Sequence, residues 1–392
     1  MNAPAQAGLP ALSLTDPKLF REQCYIDGAW VSGKKSFAVV NPATGATLAS
    51  VPDLGAADAK RAIEAAHAAW GGWRAKTAKE RAAILRNWFD LVMANQEDLA
   101  QILTAEQGKP LAEARGEIAY GAAFIEWYAE EGKRVYGDVI PQHQADKRLL
   151  VIKQPVGVTA AITPWNFPNA MITRKVAPAL AAGCTLVLKP AEQTPLSALA
   201  LAELAERAGM PKGVLNILTT NDPPAVGGEL TSNPLVRKIT FTGSTEVGRI
   251  LMRQSAETIK KVSFELGGNA PLIVFDDADL DAAIEGAIAS KYRNAGQTCV
   301  CANRIFVQDG VYDAFAKKFA EKVGAFKVGP GTEAGVVIGP LIDAQGLAKV
   351  EAHVADALAK GAKALTGGKK IRGLFFEPTV LTEATESMQL AR

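Results

Sequence analysis

Five short apolar runs, "GVTAAITP", "CTLVLKP", "GVLNIL", "RKITFTG" and "KKVSFEL", recur between residues 157 and 266, with a stretch of helical character between each and the next. Near-continuous apolar strands joined by crossovers of about ten to fifteen residues specify strands buried on both faces, hence a parallel sheet. The pattern predicts helices after the first run through residue 182, over 195–209, around 224–232 and from 244 onward. Gly209 stands where a helix C-terminus takes glycine. In such a doubly wound α/β unit, ligands bind outside the carboxyl ends of the strands. The residues that follow each run are therefore the first candidates for function.

The rest of the chain has a different character. With 392 residues it exceeds one ordinary core, and two domains are expected. Residues 1–55 alternate apolar runs with turns at Asp27-Gly28 and Asn41-Pro42, an irregular β segment. Over 56–133, apolar residues recur every three or four positions with charges between them, which predicts amphipathic helices. Residues 136–156 read as extended, with "RLLVIKQPV" as a strand. A second β/α series starts at "APLIVFDDAD" and continues through a helix to Asn294, a strand "ANRIFVQ" and a helix over 312–326. The boundary falls near Gly267-Gly268.

Several function classes are disfavoured. A net charge of +2, with basic and acidic residues interleaved, gives no footprint for nucleic acid or an anionic membrane. The most apolar stretch, 176–188, is interrupted by Pro178, Gly183 and Thr185 and does not reach membrane-spanning length. The N-terminal arm has no basic residue before Lys18 and fits neither a secretory nor an import signal. Four cysteines in so long a chain fit a reducing cytoplasm, not a disulfide scaffold. No metal site is expected: His67, His143 and His353 are scattered, and Cys299-x-Cys301 supplies two ligands where a closed zinc site needs four.

The motifs after the strands each allow a structural and a chemical reading. In "FTGSTEVGR", Gly243 and Gly248 resemble the start of a phosphate-binding loop, but Arg249 and Ile250 stand where Lys and Ser/Thr are required. Ser244 or Thr245 serves as a helix N-cap in either case, and the free N–H groups there suit a phosphate. In "TPWNFPNAMITRK", Pro164 and Pro168 stiffen a turn. Asn166 either packs it or donates to an oxyanion. Lys189 and Glu192 of "LKPAEQTP" are either solvated charges or neighbours of a dinucleotide ribose, where an acidic group favours NAD. Glu265 of "SFELGGNAP", in an apolar setting, is either a buried ion-pair member or a desolvated general base. Cys24 and Cys184, the latter inside an apolar run, read as packing residues. Cys299, after a helix and Gly296, has the open surroundings a nucleophilic thiol needs.

"PWNFP", "FTGSTEVG", "FELGGNAP" and "GQTC", in this order, resemble the aldehyde dehydrogenase superfamily from residue 25 to the last. "NAMITRKVAPALAAGCTLVLKPAEQTP", "LTSNPLVRKITFTGSTEVGR" and "KYRNAGQTCVCANR" look like its succinate-semialdehyde branch, with the glutarate-semialdehyde enzymes as near relatives. The resemblance implies a dinucleotide domain over 1–135 and 157–266, a small β oligomerisation segment at 136–156 and an α/β catalytic domain over 267–392. It implies that Cys299 attacks an aldehyde, that Asn166 and the Cys299 N–H hold the oxyanion, and that hydride leaves to the nicotinamide. Glu265 then activates water against the thioester. Trp165, Lys189, Glu192, Gly243, Ser244 and the Leu266 backbone fall where the family binds its dinucleotide. Glu192 points to NAD, with NADP as the alternative. Arg174 and Arg293 are implied to hold the carboxylate of a small ω-oxo acid.

The same resemblance implies a homodimer or homotetramer. The chain stops at "ESMQLAR", just before the family's Glu-x-Phe-Gly-Pro stretch, so a catalytic domain lacking its last strands, with unpaired edges and low activity, is expected. An inactive nucleotide-binding fragment and a CoA-acylating relative are the competing readings, the latter disfavoured by the presence of Glu265. If 299–301 is extended, the two cysteine Cα atoms lie about 6.6 Å apart. That is near the upper limit for a disulfide, so Cys301 reads either as a small packing residue or, if the loop bends, as the partner in a strained, easily reduced bridge that silences the nucleophile.

Overall fold

The computed structural model describes residues 12–391, so most of the N-terminal arm lies outside the described residues. Asp27 and Gly28 both adopt positive φ (54° and 70°), the conformation a two-residue hairpin needs, and join β1 (Cys24–Ile26) to β2 (Ala29–Val31). A second hairpin pairs β3 (Ser36–Val40) with β4 (Thr47–Pro52). Four helices follow: α1 (Ala56–Ala75), α2 (Ala78–Ala94), α3 (Gln96–Gln107) and α4 (Leu111–Glu131). Thr77 and Glu80 form a reciprocal capping box at the start of α2. Gly108, at φ 95°, ends α3, and a Cβ there would lie 2.7 Å from Pro340. The extended stretch that follows forms only a three-residue ribbon, β5 (Asp138–Ile140) with β6 (Leu149–Val151), almost wholly exposed.

The predicted sheet comes next: β7 (Val158–Ile162), α5 (Ala170–Ala181), β8 (Thr185–Lys189), α6 (Leu196–Arg207), β9 (Leu215–Ile217), α7 (Pro223–Ser232), β10 (Val236–Gly243), α8 (Thr245–Ala256) and β11 (Lys261–Leu266). Its order is β11-β10-β7-β8-β9-β1-β2, the five strands from β11 to β9 parallel and the N-terminal hairpin added antiparallel. The chain steps from β7 out to β9, then returns to the other side of β7. The order therefore reverses between β7 and β10, and a ligand crevice opens at their carboxyl ends. Strands β7, β8 and β9 are buried at every position, as uninterrupted apolar runs require. Cys184 is buried as expected but sits just before β8 rather than inside it.

Beyond the sheet, β12 (Ala270–Val274) and β13 (Ala302–Val307) pair in parallel around α9 (Leu280–Lys291), followed by α10 (Asp309–Gly324) and α11 (Ala344–Ala359). The strands β14 (Lys363–Thr366) and β17 (Val380–Thr382), and β15 (Lys370–Arg372) and β16 (Phe375–Phe376), form two small antiparallel pairs. Val274, Ile284, Phe315, Phe319 and Val323 pack as a separate core. On the other face of β12 and β13, Ile273, Phe275 and Phe306 are more than half exposed. Among the described residues no helix is long and apolar enough to cross a membrane.

Candidate active site

The strand register brings the motifs into line. Ile162 at the end of β7 pairs with Lys189 of β8 on one side and Phe241 of β10 on the other, and Phe241 pairs with Phe264 of β11. Trp165-Asn166, Lys189-Glu192, Gly243-Ser244 and Glu265-Leu266 therefore share one edge of one sheet. Lys189 is not a solvated charge. It is 3% exposed, and its Nζ donates to Glu192 Oε1 at 2.6 Å and to the Pro190 carbonyl at 3.1 Å. Ser244 caps α8, its Oγ accepting from the Val247 N–H at 3.2 Å. A Cβ on Gly248 would lie 2.8 Å from the Leu266 side chain, so the glycine lets α8 close onto β11.

The cysteine loop begins with three consecutive left-handed residues, Asn294 (φ 54°), Ala295 (φ 55°) and Gly296 (φ 76°). Asn and Gly adopt this conformation readily, whereas Ala295 is strained by about 1–2 kcal/mol. Buried and half-buried hydrogen bonds hold the loop against that strain. The Asn294 N–H donates to Glu113 Oε2 (2.8 Å), and its Oδ1 accepts from Gln107 Nε2 (2.9 Å). Its Nδ2 donates to the carbonyls of Asn166 (3.0 Å) and Gln297 (3.2 Å). Gln297 Oε1 accepts from the Ile342 N–H at 3.0 Å. Asn166 Nδ2 reaches across from the β7 loop to donate to the Gln297 carbonyl at 3.1 Å.

The loop that carries the proposed nucleophile is thus bonded to the proposed oxyanion donor, far from it in sequence. Cys299 is half-buried and free. Residues 298–301 form a turn rather than an extended segment, closed by the Cys301 N–H on the Thr298 carbonyl (3.3 Å). Cys301 is buried, and its thiol donates to the carbonyls of Lys291 (3.4 Å) and Gly296 (3.5 Å).

The sequence reading missed the support for this junction. "AEQGKPLAEARGE" reads as the polar face of a helix, yet Gln107, Lys109 and Glu117 are buried. Lys109 Nζ donates to Glu117 Oε2 at 2.6 Å and to the Asn166 carbonyl at 2.8 Å, and lies 3.9 Å from the centre of the Phe167 ring. Glu117 Oε1 accepts the N–H groups of Asn169 (2.8 Å) and Ala170 (3.2 Å), where α5 begins. Burial pushes the Lys109 amine below its ordinary value, while the Glu117 charge opposes that shift. The one signal in sequence was Gly-Lys-Pro interrupting a helical pattern at 108–110.

Glu265 corrects a second expectation: it is exposed, not desolvated. β11 is the edge strand and alternates, so Val262 and Phe264 turn inward and place Glu265 with Lys261 and Ser263 on the open face. The buried titratable group nearby is Lys175, another residue the motif reading passed over. Its Nζ donates to Thr242 Oγ1 at 2.5 Å, and Thr242 is the register partner of Glu265. Burial, and secondarily the Arg174 charge, bring the Lys175 amine down to about 8, against the pull of Glu265. The two candidate substrate arginines each rest on an aromatic ring. The Arg174 guanidinium lies 5.3 Å from the centre of the Phe124 ring, and that of Arg293 lies 5.2 Å from the centre of the Phe167 ring. Arg174 is half-buried and Arg293 exposed.

The model of the aldehyde dehydrogenase family matches residues 30–392. The chain is 65% identical over 385 residues to the glutarate-semialdehyde dehydrogenase of Pseudomonas aeruginosa, covering 97% of this chain and 80% of that one. It is 64% identical over 385 residues to the NADP(+) succinate-semialdehyde dehydrogenase of Escherichia coli, with the same coverage of 97% and 80%. Among solved structures, the succinate-semialdehyde dehydrogenase of Burkholderia pseudomallei superposes with a TM-score of 0.96 at 66% identity, covering 97% of this chain and 80% of that one.

Proposed function

The chain belongs to the aldehyde dehydrogenase family, and from that premise we propose that it oxidises a small ω-oxo acid, succinate or glutarate semialdehyde, to the dicarboxylate. The single observation that supports this most is the hydrogen bond from Asn166 to the Cys299 loop. It holds the carboxamide by one N–H and leaves the other without a protein acceptor among the described residues. That second N–H suits the oxyanion formed when the Cys299 thiolate adds to an aldehyde carbon.

A nicotinamide dinucleotide fits the crevice on the chain's own chemistry. Gly248 lets α8 close onto β11, free N–H groups begin α8, and the pair of buried Lys189 with half-buried Glu192 marks the end of β8. Trp165, Lys189, Glu192, Gly243, Ser244 and the Leu266 backbone would hold it, and when bound it supplies the acceptor for the hydride. In this reading Glu265 activates the water that releases the acid, which its exposure to solvent supports. Arg174 and Arg293 bind the substrate carboxylate, and their aromatic seats fix the guanidinium planes. We further assign the dinucleotide role to 1–135 and 157–266, oligomerisation to the exposed ribbon at 136–156, and the nucleophile to the segment from 267 onward, in a cytoplasmic protein.

NAD is preferred because Glu192 carries negative charge where a 2′-phosphate would lie. The Lys189 pairing weakens that repulsion, so NADP is used as well, more slowly. The test is an assay of the protein with succinate and glutarate semialdehydes, each with NAD, NADP, and added CoA. Reduced cofactor without CoA is expected. Its absence under every condition would overturn the reading, and a strict requirement for CoA would replace it with acyl transfer. Arg293→Ala should raise KM for the semialdehydes at least tenfold more than for an uncharged aldehyde, whereas an equal rise would remove the carboxylate clamp.

A further inference from the structure

The buried polar junction beneath the site contains a residue that no step of the proposed reaction uses. Asn294 lies 1% exposed between the cysteine loop and α4, with every polar group of its side chain committed. We propose that Asn294 is a positioning residue for oxyanion stabilisation: it fixes Asn166 against the Cys299 loop without itself touching the substrate. The proposal rests on the functional reading above, which makes Asn166 the oxyanion donor.

Two carbonyls define the junction. Asn166 O accepts from Lys109 Nζ and Asn294 Nδ2, at 2.8 and 3.0 Å. Gln297 O accepts from Asn166 Nδ2 and Asn294 Nδ2, at 3.1 and 3.2 Å. One amide nitrogen of Asn294 therefore ties the backbone of the oxyanion donor to the carbonyl that its own carboxamide must meet. The side-chain oxygen of Asn294 is in turn held by Gln107, whose Oε1 accepts the Lys109 N–H at 3.0 Å.

Lys109 is anchored by Glu117, which also caps the start of α5. The chain of bonds runs from the α3–α4 junction through Asn294 to both loops of the site. Without the Asn294 amide, Asn166 keeps one backbone anchor but loses its registry with Gln297. The second carboxamide N–H then no longer points where the oxyanion forms. A small misplacement of a donor is enough to slow chemistry without weakening substrate binding.

Asn294→Gly preserves the left-handed backbone and removes only the carboxamide. Turnover with the semialdehyde is expected to fall about 10- to 100-fold, with KM for aldehyde and dinucleotide within about twofold of the parent. Alkylation of Cys299 by iodoacetamide forms no oxyanion and should proceed at the parental rate. The double variant with Asn166→Ala should lose no more than Asn166→Ala alone, because the two side chains act as one unit. Asn294→Asp, which keeps the volume and left-handed preference but turns an acceptor toward two carbonyls, should lose turnover in the same way.

Hydrolysis of p-nitrophenyl acetate by Cys299 repeats the comparison without any dinucleotide. The proposal falls if the losses add in the double variant, or if either variant keeps parental turnover. It also falls if alkylation drops in step with turnover in both variants, since that would make Asn294 merely structural. A parent protein that alkylates normally but oxidises no semialdehyde would instead remove the functional reading.

Discussion

The Asn166–Gln297 junction and the Glu265 end of β11 lie on the same edge of one sheet but are held in opposite ways. At the junction, Asn294, Lys109, Glu117 and Gln107 are buried and mutually bonded, and the strained left-handed turn before Cys299 persists because its polar groups are satisfied on every side. At β11 the strand is an edge, Glu265 faces solvent, and the buried Lys175, which feels its charge, stands on another element. The first step, addition to a carbonyl, needs fixed donors, because charge develops on one oxygen. Hydrolysis of a thioester needs a base with access to water. The rigid region and the open one match these two demands.

The sharpest test of that contrast is to damage each side separately. Asn166→Ala should reduce formation of the acyl-enzyme by about 10²–10³-fold, seen as a slower first turnover in rapid mixing. Glu265→Gln should leave that first turnover intact, giving a burst of one reduced cofactor per site followed by a steady rate lowered about 10²-fold or more. If Glu265→Gln abolishes the burst as well, the two regions do not divide the reaction. Lys109→Met, which leaves Glu117 buried and unpaired, should destabilise the fold by about 3–5 kcal/mol, measured by denaturant unfolding. A change below about 1 kcal/mol would mean that the junction is less rigid than its bonds indicate.

The smallest expected effects concern pH. Glu106, fully buried and accepting the Leu196 and Ser197 N–H groups where α6 begins, is pushed up to about 8 by burial, from 4.5. Its folded form binds the proton more tightly, so its contribution to stability is full below pH 4.5 and lost as pH rises to about 8. Lys175 has the opposite sign. Its amine falls from 10.5 to about 8, the folded form releases the proton first, and stability is gained as pH rises from about 8 to 10.5. Melting temperatures of Glu106→Gln and Lys175→Met, each subtracted from the parent across pH 5–10, should show these two slopes on either side of about 8. Flat differences would mean that neither group titrates in its window.

What could be read in the chain follows from chemistry that is local in sequence. Five apolar runs with helical spacers dictated a parallel sheet, since only burial on both faces tolerates such strands. Asn166, Lys189, Gly243 and Glu265 stood out because each follows or ends a run, and Cys299 because it follows a helix and Gly296. The sheet register puts the first four on one edge, and a loop contact adds the cysteine. Position along a helix or strand, by contrast, does not say what covers it. Lys109 and Glu117 read as the polar face of a helix and Lys175 drew no reading of its own, and only the packing of α4 and α5 against the loops and the sheet buried them. Glu265 read as buried because its strand is apolar, and only its place at the sheet edge exposed it. The sequence by itself settled the five parallel strands of the sheet and which side chains end them. Tertiary structure settled the solvation of each charge, because desolvation depends on elements that meet only after folding.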